Sequence, residues 1–104
     1  MKRPLFNLYL RRLRARLPGD LRVVVSFVAG LEKAEGDDAF TTRTDKSYLI
    51  RIDASASDAY AAVLLVHEWA HVLAKPWSDP EHHSDAWGLK SAKCWRVAVE
   101  NKRG

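Results

Sequence analysis

Between Leu64 and Ala74 the chain reads LLVHEWAHVLA, an apolar run that carries three ionisable side chains, His67, Glu68 and His71. Burying such groups is costly unless they are paired, hydrogen-bonded or bound to a metal. Any fold of this chain must place the segment so that all three are satisfied. On a helix, His67 and His71 stand four residues apart, one above the other on a single face. From there both imidazoles reach one ion. Zinc takes neutral imidazole nitrogen at about 2.0–2.1 Å, and its catalytic sites keep three protein ligands and one open position. Glu68 follows the first histidine by one residue, so it points beside the ion rather than at it. A carboxylate there can accept a proton from a water whose pKa the metal lowers towards ~7. That division of labour is what H-E-x-x-H stands for. The pattern would arise by chance in fewer than about one chain in a hundred of this composition. The bland alternative is a helix whose two histidines are merely hydrogen-bonded.

A catalytic zinc needs a third protein ligand. The candidates after the motif are Glu81, His82, His83 and Asp85. His83 is the first choice. It lies twelve residues past His71, which lets the chain turn back, and it precedes Ser84, a good N-cap for a following helix. His82 is the runner-up. Asp85 suits a hydrogen bond to a ligand histidine, or simply the first turn of a helix.

The rest of the chain reads as a helix, a small sheet and two more helices. Pro4 to Leu17 predicts a first helix with Leu5, Leu8, Tyr9, Leu13 and Leu17 as its apolar stripe. Pro18-Gly19-Asp20 stops it. Leu21 to Val28 is nearly all apolar and predicts a central strand. Leu31 to Asp38 is polar and reads as an exposed loop. Ala39 to Thr44 predicts a short strand, Asp45-Lys46 a hairpin turn. Ser47 to Asp53 alternates, with Tyr48, Ile50 and Ile52 on one face and Leu49, Arg51 and Asp53 on the other. Ser55 to Asp58 fits a capping box, with Ser55 as N-cap of a helix from about Ala56 to Ala74. Tyr60, Val63, Leu64, Val66, Ala70 and Leu73 are its expected core contacts. Lys75-Pro76 ends it. The last helix is expected over Asp85 to about Asn101, with Trp87, Ser91, Cys94, Trp95 and Ala98 inward.

The chain has 104 residues, which predicts one domain spanning 1–104. No run of 18 apolar residues exists, so no membrane span is expected. The start, MKRPLFNLYLRR, has its apolar part broken by Asn7 and ended by Arg11, which is unlike a signal peptide. Cys94 is the single cysteine. A reducing, cytoplasmic setting is the expectation. Net charge is +4 and unevenly spread. Lys2, Arg3, Arg11, Arg12, Arg14, Arg16 and Arg22 form one basic cluster; Lys90, Lys93, Arg96, Lys102 and Arg103 form another. Such clusters suit a nucleic-acid backbone, and more often are a solvated face.

The run H-E-W-A-H-V-L, then a loop and H83-S-D-A-W87, resembles the SprT-like zinc metallopeptidases. In that family H-E-x-x-H is followed, after a variable loop, by His-Gly-x-x-aromatic. His83, Ser84 and Trp87 take those positions, with Ser84 where glycine is usual. Small phage-encoded relatives end H-x-x-x-W-G, which Trp87-Gly88 matches, so a phage source would place the protein in the host cytoplasm. The resemblance covers residues 47–99. It implies an α+β, minimal gluzincin-like zincin fold: N-terminal helix, small antiparallel sheet of about three strands, motif helix and closing helix. It implies that the strand Ser47 to Asp53 borders a cleft, where a peptide could add by main-chain hydrogen bonds. It also implies action on proteins associated with DNA.

The expected function is therefore a zinc-dependent metallopeptidase with a protein or peptide substrate. His67, His71 and His83 bind Zn2+ and Glu68 is the general base. Tyr48, Tyr60 and Arg51 are candidates for an extra oxyanion donor, each with an ordinary packing role as its rival reading. Trp77 is the exposed tryptophan suited to stacking. The alternatives are a non-catalytic zinc module that binds DNA or a protein partner, and a zinc hydrolase acting on a non-peptide amide. The sequence sets no oligomeric state.

Overall fold

A computed structural model describes residues 2–77 and 83–100. In chain order the elements are α1 (Pro4–Arg16), β1 (Arg22–Val28), α2 (Leu31–Glu35), β2 (Ala39–Arg43), β3 (Ser47–Asp53), α3 (Asp58–Leu73) and α4 (Asp85–Val99). The fold class is α+β, as expected.

The sheet differs from expectation in two ways. Its order is β1-β3-β2, with β3 parallel to β1 and antiparallel to β2. The sheet is thus mixed, not antiparallel, because α2 and the β2–β3 hairpin bring β3 back between its two predecessors. β1 is an edge strand, not a central one, and Val24 on it is 36% exposed. Its apolar character serves the helix-facing side, where Val23, Val25 and Phe27 sit in register with Tyr48, Ile50 and Ile52. Those three β3 side chains are fully buried, as the alternation required. Both hydrogen-bonding edges of β3 are consequently taken. The edge available beside α3 is that of β2.

Helix starts show where local signals were outvoted. Ser57, not Ser55, is the N-cap of α3, and its hydroxyl accepts from Tyr60 N at 3.1 Å. Ser55 is engaged elsewhere: its N–H and hydroxyl both donate to Asp53 Oδ1, at 2.8 and 2.7 Å. Asp58 does not close a capping box. Its carboxylate accepts from Leu5 N at 3.0 Å and Phe6 N at 2.9 Å, capping the start of α1 from 52–53 residues away. Pro4 opens α1, and the buried stripe is Phe6, Tyr9, Leu10, Leu13 and Leu17, rotated from the expected one. The polar stretch after Gly30 holds a short helix, α2, flanked by Gly30 (φ 71°) and Gly36 (φ 81°). Only glycine takes that left-handed conformation freely.

α3 is the central helix. It packs on β2 and β3, on α1 and on α4. Leu65, Val66, Trp69, Ala70 and Val72 are fully buried along it. Filling such positions contributes about 1.5–3 kcal/mol for each large apolar side chain. Trp69 also donates its indole N–H to Leu17 O at 2.8 Å, tying α3 to the end of α1. Tyr60 and Val63, expected in the core, are each 44% exposed. The buried face is set by Ala61, Ala62 and Leu65 instead, and this turns Tyr60 and Val63 outward. No helix of the described residues is long and apolar enough to cross a membrane.

Candidate metal centre

The third and fourth helices bring three imidazoles together. His67 and His71 lie one turn apart on α3, with ring centroids 5.2 Å apart. His83 precedes the N-cap of α4. Ser84 holds that cap, accepting from Trp87 N at 3.2 Å, and so fixes where the chain before it emerges. The His83 ring lies 4.9 Å from His67 and 5.2 Å from His71. The available nitrogens of all three rings lie within 4.8 Å of one another, in the one metal-competent group found among the described residues.

The spacing fits a small tetrahedral ion. Two nitrogens at the zinc distance subtend about 3.3 Å on a tetrahedron. His67 Nε2 and His83 Nε2 are 3.2 Å apart. A hydrogen bond between a ring N–H and a bare nitrogen would give the same separation. Such a bond joins only two rings, however, and the third ring is gathered too. Trp87 packs against all three, with centroid distances of 4.9, 5.6 and 4.4 Å to His67, His71 and His83. Its indole N–H donates to His67 O at 3.3 Å. Trp87 is thus a wall against which all three histidine rings lie.

Glu68 lies beside the cluster. It is only 5% exposed, and its Oε2 stands 3.9 Å from His67 Nε2. Its other oxygen, Oε1, accepts from the Thr41 hydroxyl at 2.6 Å. Burial pushes the Glu68 carboxyl up to about 7; the Thr41 hydrogen bond opposes this and Asp37 adds to it. His67 is pushed down, first by burial and then by repulsion from His83. A depressed histidine is a neutral one near pH 7, the form that binds metal. A cleft of about 470 Å³ opens in front of these groups, lined by Asp37, Phe40, Val63 and Leu64 with His67, Glu68 and His83. Val63, turned towards solvent on α3, is part of that lining. A hollow of comparable size, about 490 Å³, lies by Arg14, Gly19 and Arg22, and offers no metal-competent group.

Other expected site residues fall elsewhere. Glu81 and His82 lie outside the described residues. Asp85 is exposed in the first turn of α4 and is not part of the histidine group. Tyr48 is fully buried and donates to Asp20 at 2.7 Å, while Lys75 donates to its hydroxyl. Tyr60 donates to Asp38, and Arg51 lies over the Phe40 ring at 5.9 Å. None of the three lines the cleft in front of the histidines. Trp77 is half-buried and tilts against Tyr48 at 5.3 Å, so it is not an exposed stacking platform. The first basic cluster is partly structural: Arg12 donates to Ala98 O, Arg14 to Val23 O, and Arg16 pairs with Glu100. Lys90, Lys93 and Arg96 line a shallow hollow with Lys75 and Leu89.

Sequence reasoning missed Thr41. It comes from a strand 27 positions before Glu68, and no local pattern joins the two. Comparison of the chain with protein-family models, with curated proteins and with solved structures found no match.

Proposed function

We propose that the protein is a zinc-dependent metallopeptidase of the SprT-like kind, with His67, His71 and His83 as the zinc ligands and Glu68 as the general base. One observation carries the reading: three histidine nitrogens converge within 4.8 Å, and a buried carboxylate turns one oxygen to within 3.9 Å of the His67 nitrogen. A bound zinc would supply Lewis acidity and an acidified water.

The chain's own groups do the rest. Glu68 Oε2 takes the proton of the attacking water and returns it to the departing amine. In the metal-free chain burial raises the proton affinity of this carboxyl, the direction that such a shuttle needs. Trp87 keeps the three rings in place and shields one side from water. The cleft offers Phe40, Val63 and Leu64 to a side chain of the peptide, and β2 offers its edge to the peptide backbone. Proteins associated with DNA are the substrates that the basic clusters would suit. A cytoplasmic setting agrees with Cys94, a buried free thiol.

The rival is a zinc module without catalysis. A structural site is closed by four protein ligands. The described residues contribute three, with Glu68 beside the group rather than in it, the place of a base and not of a ligand.

The test compares wild type with Glu68→Gln by metal analysis and by cleavage of a denatured protein such as casein. The expected result is one zinc per chain in both, with cleavage falling about 10²–10⁴-fold in the variant. Equal cleavage by the two would sink the assignment of Glu68. Zinc in neither would sink the metal site.

A further inference from the structure

We propose that Thr41 is the positioning residue of the general base: its hydroxyl pins Oε1 of Glu68 and so leaves Oε2 as the oxygen that handles the proton. The inference rests on reading Glu68 as that base.

The two oxygens of the carboxylate have different surroundings. Oε1 meets the Thr41 hydroxyl at 2.6 Å, within the short range of a charge-assisted O–H···O bond. Oε2 faces His67 Nε2 at 3.9 Å. An ionised carboxylate only accepts, so the hydroxyl must donate. Its other neighbour is Glu68 O at 3.5 Å, a longer contact to the same residue. The hydroxyl therefore has Glu68 as its one close partner.

Thr41 is itself held firmly. It is fully buried on the helix-facing side of β2, opposite Ile50 of the central strand. Its β-branch restricts χ1, so the hydroxyl direction follows the backbone. A free glutamate side chain has three rotatable bonds and would sample several carboxylate positions. Here one oxygen is tethered to the sheet, and the other is presented to the cluster. The base thus takes its position from the sheet as well as from its own helix. Alignment of this kind matters because a misplacement of about 1 Å can cost about 10²-fold in rate. Packing alone does not explain the residue, since valine would fill the same space and has a high strand preference.

The experiment uses the full zinc-loaded chain as wild type, Thr41→Val and Thr41→Ser, with casein as substrate and crystal structures of all three. Thr41→Val is expected to lower kcat about 10–100-fold with KM and zinc affinity unchanged, and to release the Glu68 carboxylate from its position. Thr41→Ser is expected to recover most of the rate and the carboxylate position. Wild-type turnover in Thr41→Val overturns the inference, as does an equal loss in Thr41→Ser, which would mean packing. So does an unmoved Glu68 carboxylate in the valine variant. If the wild type cleaves nothing, the peptidase reading fails, and the carboxylate position still decides what Thr41 does.

Discussion

Asp53 and Glu68 each leave 5% of their surface exposed, yet the protein treats them in opposite ways. Asp53 receives three donors: Glu32 N at 2.8 Å on Oδ2, and Ser55 N and Oγ at 2.8 and 2.7 Å on Oδ1. These hold its carboxyl below the usual range, the Glu32 N–H first and the two Ser55 donors after it. Glu68 receives one side-chain donor, Thr41, and burial prevails. Loss of solvation is the largest influence on Glu68 and the smallest on Asp53, so desolvation and the number of donors together decide the sign. The saturated carboxylate joins a strand to two turns of structure. The under-supplied one sits at the cleft and can still exchange a proton. A strongly perturbed acid in a cleft points to chemistry, and this pair shows what makes the difference.

The contrast can be broken most directly by exchanging roles. Glu68→Gln should remove about 10²–10⁴-fold of turnover while leaving the urea midpoint unchanged or higher. Asp53→Ala should do the reverse, lowering the midpoint beyond what a surface substitution does and sparing zinc stoichiometry. Equal stability losses in the two variants would end the distinction.

The pH dependence should also have opposite signs. The folded pKa of Asp53 lies below its unfolded value, so its contribution is complete above that value and is lost as pH falls through the folded one. In the metal-free chain the folded pKa of Glu68 lies above its unfolded value. Its contribution is therefore complete at low pH and is lost as pH rises through about 7. Between pH 4.5 and 8, metal-free wild type should lose about 3 kcal/mol relative to Glu68→Gln. Urea unfolding at the two ends of that range measures it, and parallel curves would refute it. The smallest effect is expected at a third carboxylate, half-buried Asp58, which caps α1. Asp58→Ala should cost about 1 kcal/mol, the usual worth of an N-cap, with turnover intact. Lost turnover there would mean that the helix starts are coupled to the site.

The cluster itself was legible because its chemistry is periodic. His67 and His71 are one helical turn apart, and His83 is placed by the Ser84 cap, a local signal that the structure reproduces. The face of β3 was legible for a similar reason, since strict alternation leaves one arrangement. What was not legible depends on competition at a distance. Ser55 and Ser57 are both fair caps, and Asp53 settles the matter by engaging Ser55. β1 looked central because its composition reports burial of one face and says nothing of neighbours. Thr41 reads as a strand threonine until the fold sets it against Glu68.

The insertion of β3 between β1 and β2 also bears on how the chain assembles. The β2–β3 hairpin closes locally, with Thr44 N donating to Ser47 O at 2.8 Å across the turn. β1 meets β3 across 25 residues, as in the pair Arg22 and Ser47 (47 − 22). Long closures are the slow part of folding. His67 and His83 meet across 16 residues, whereas Thr41 meets Glu68 across 27, a closure as long as that of β1 on β3. The N-terminal helix and β1 complete the sheet from outside. In kinetic terms, the histidines can be gathered before the sheet has its last edge, while the tether on the base closes as late as that edge does.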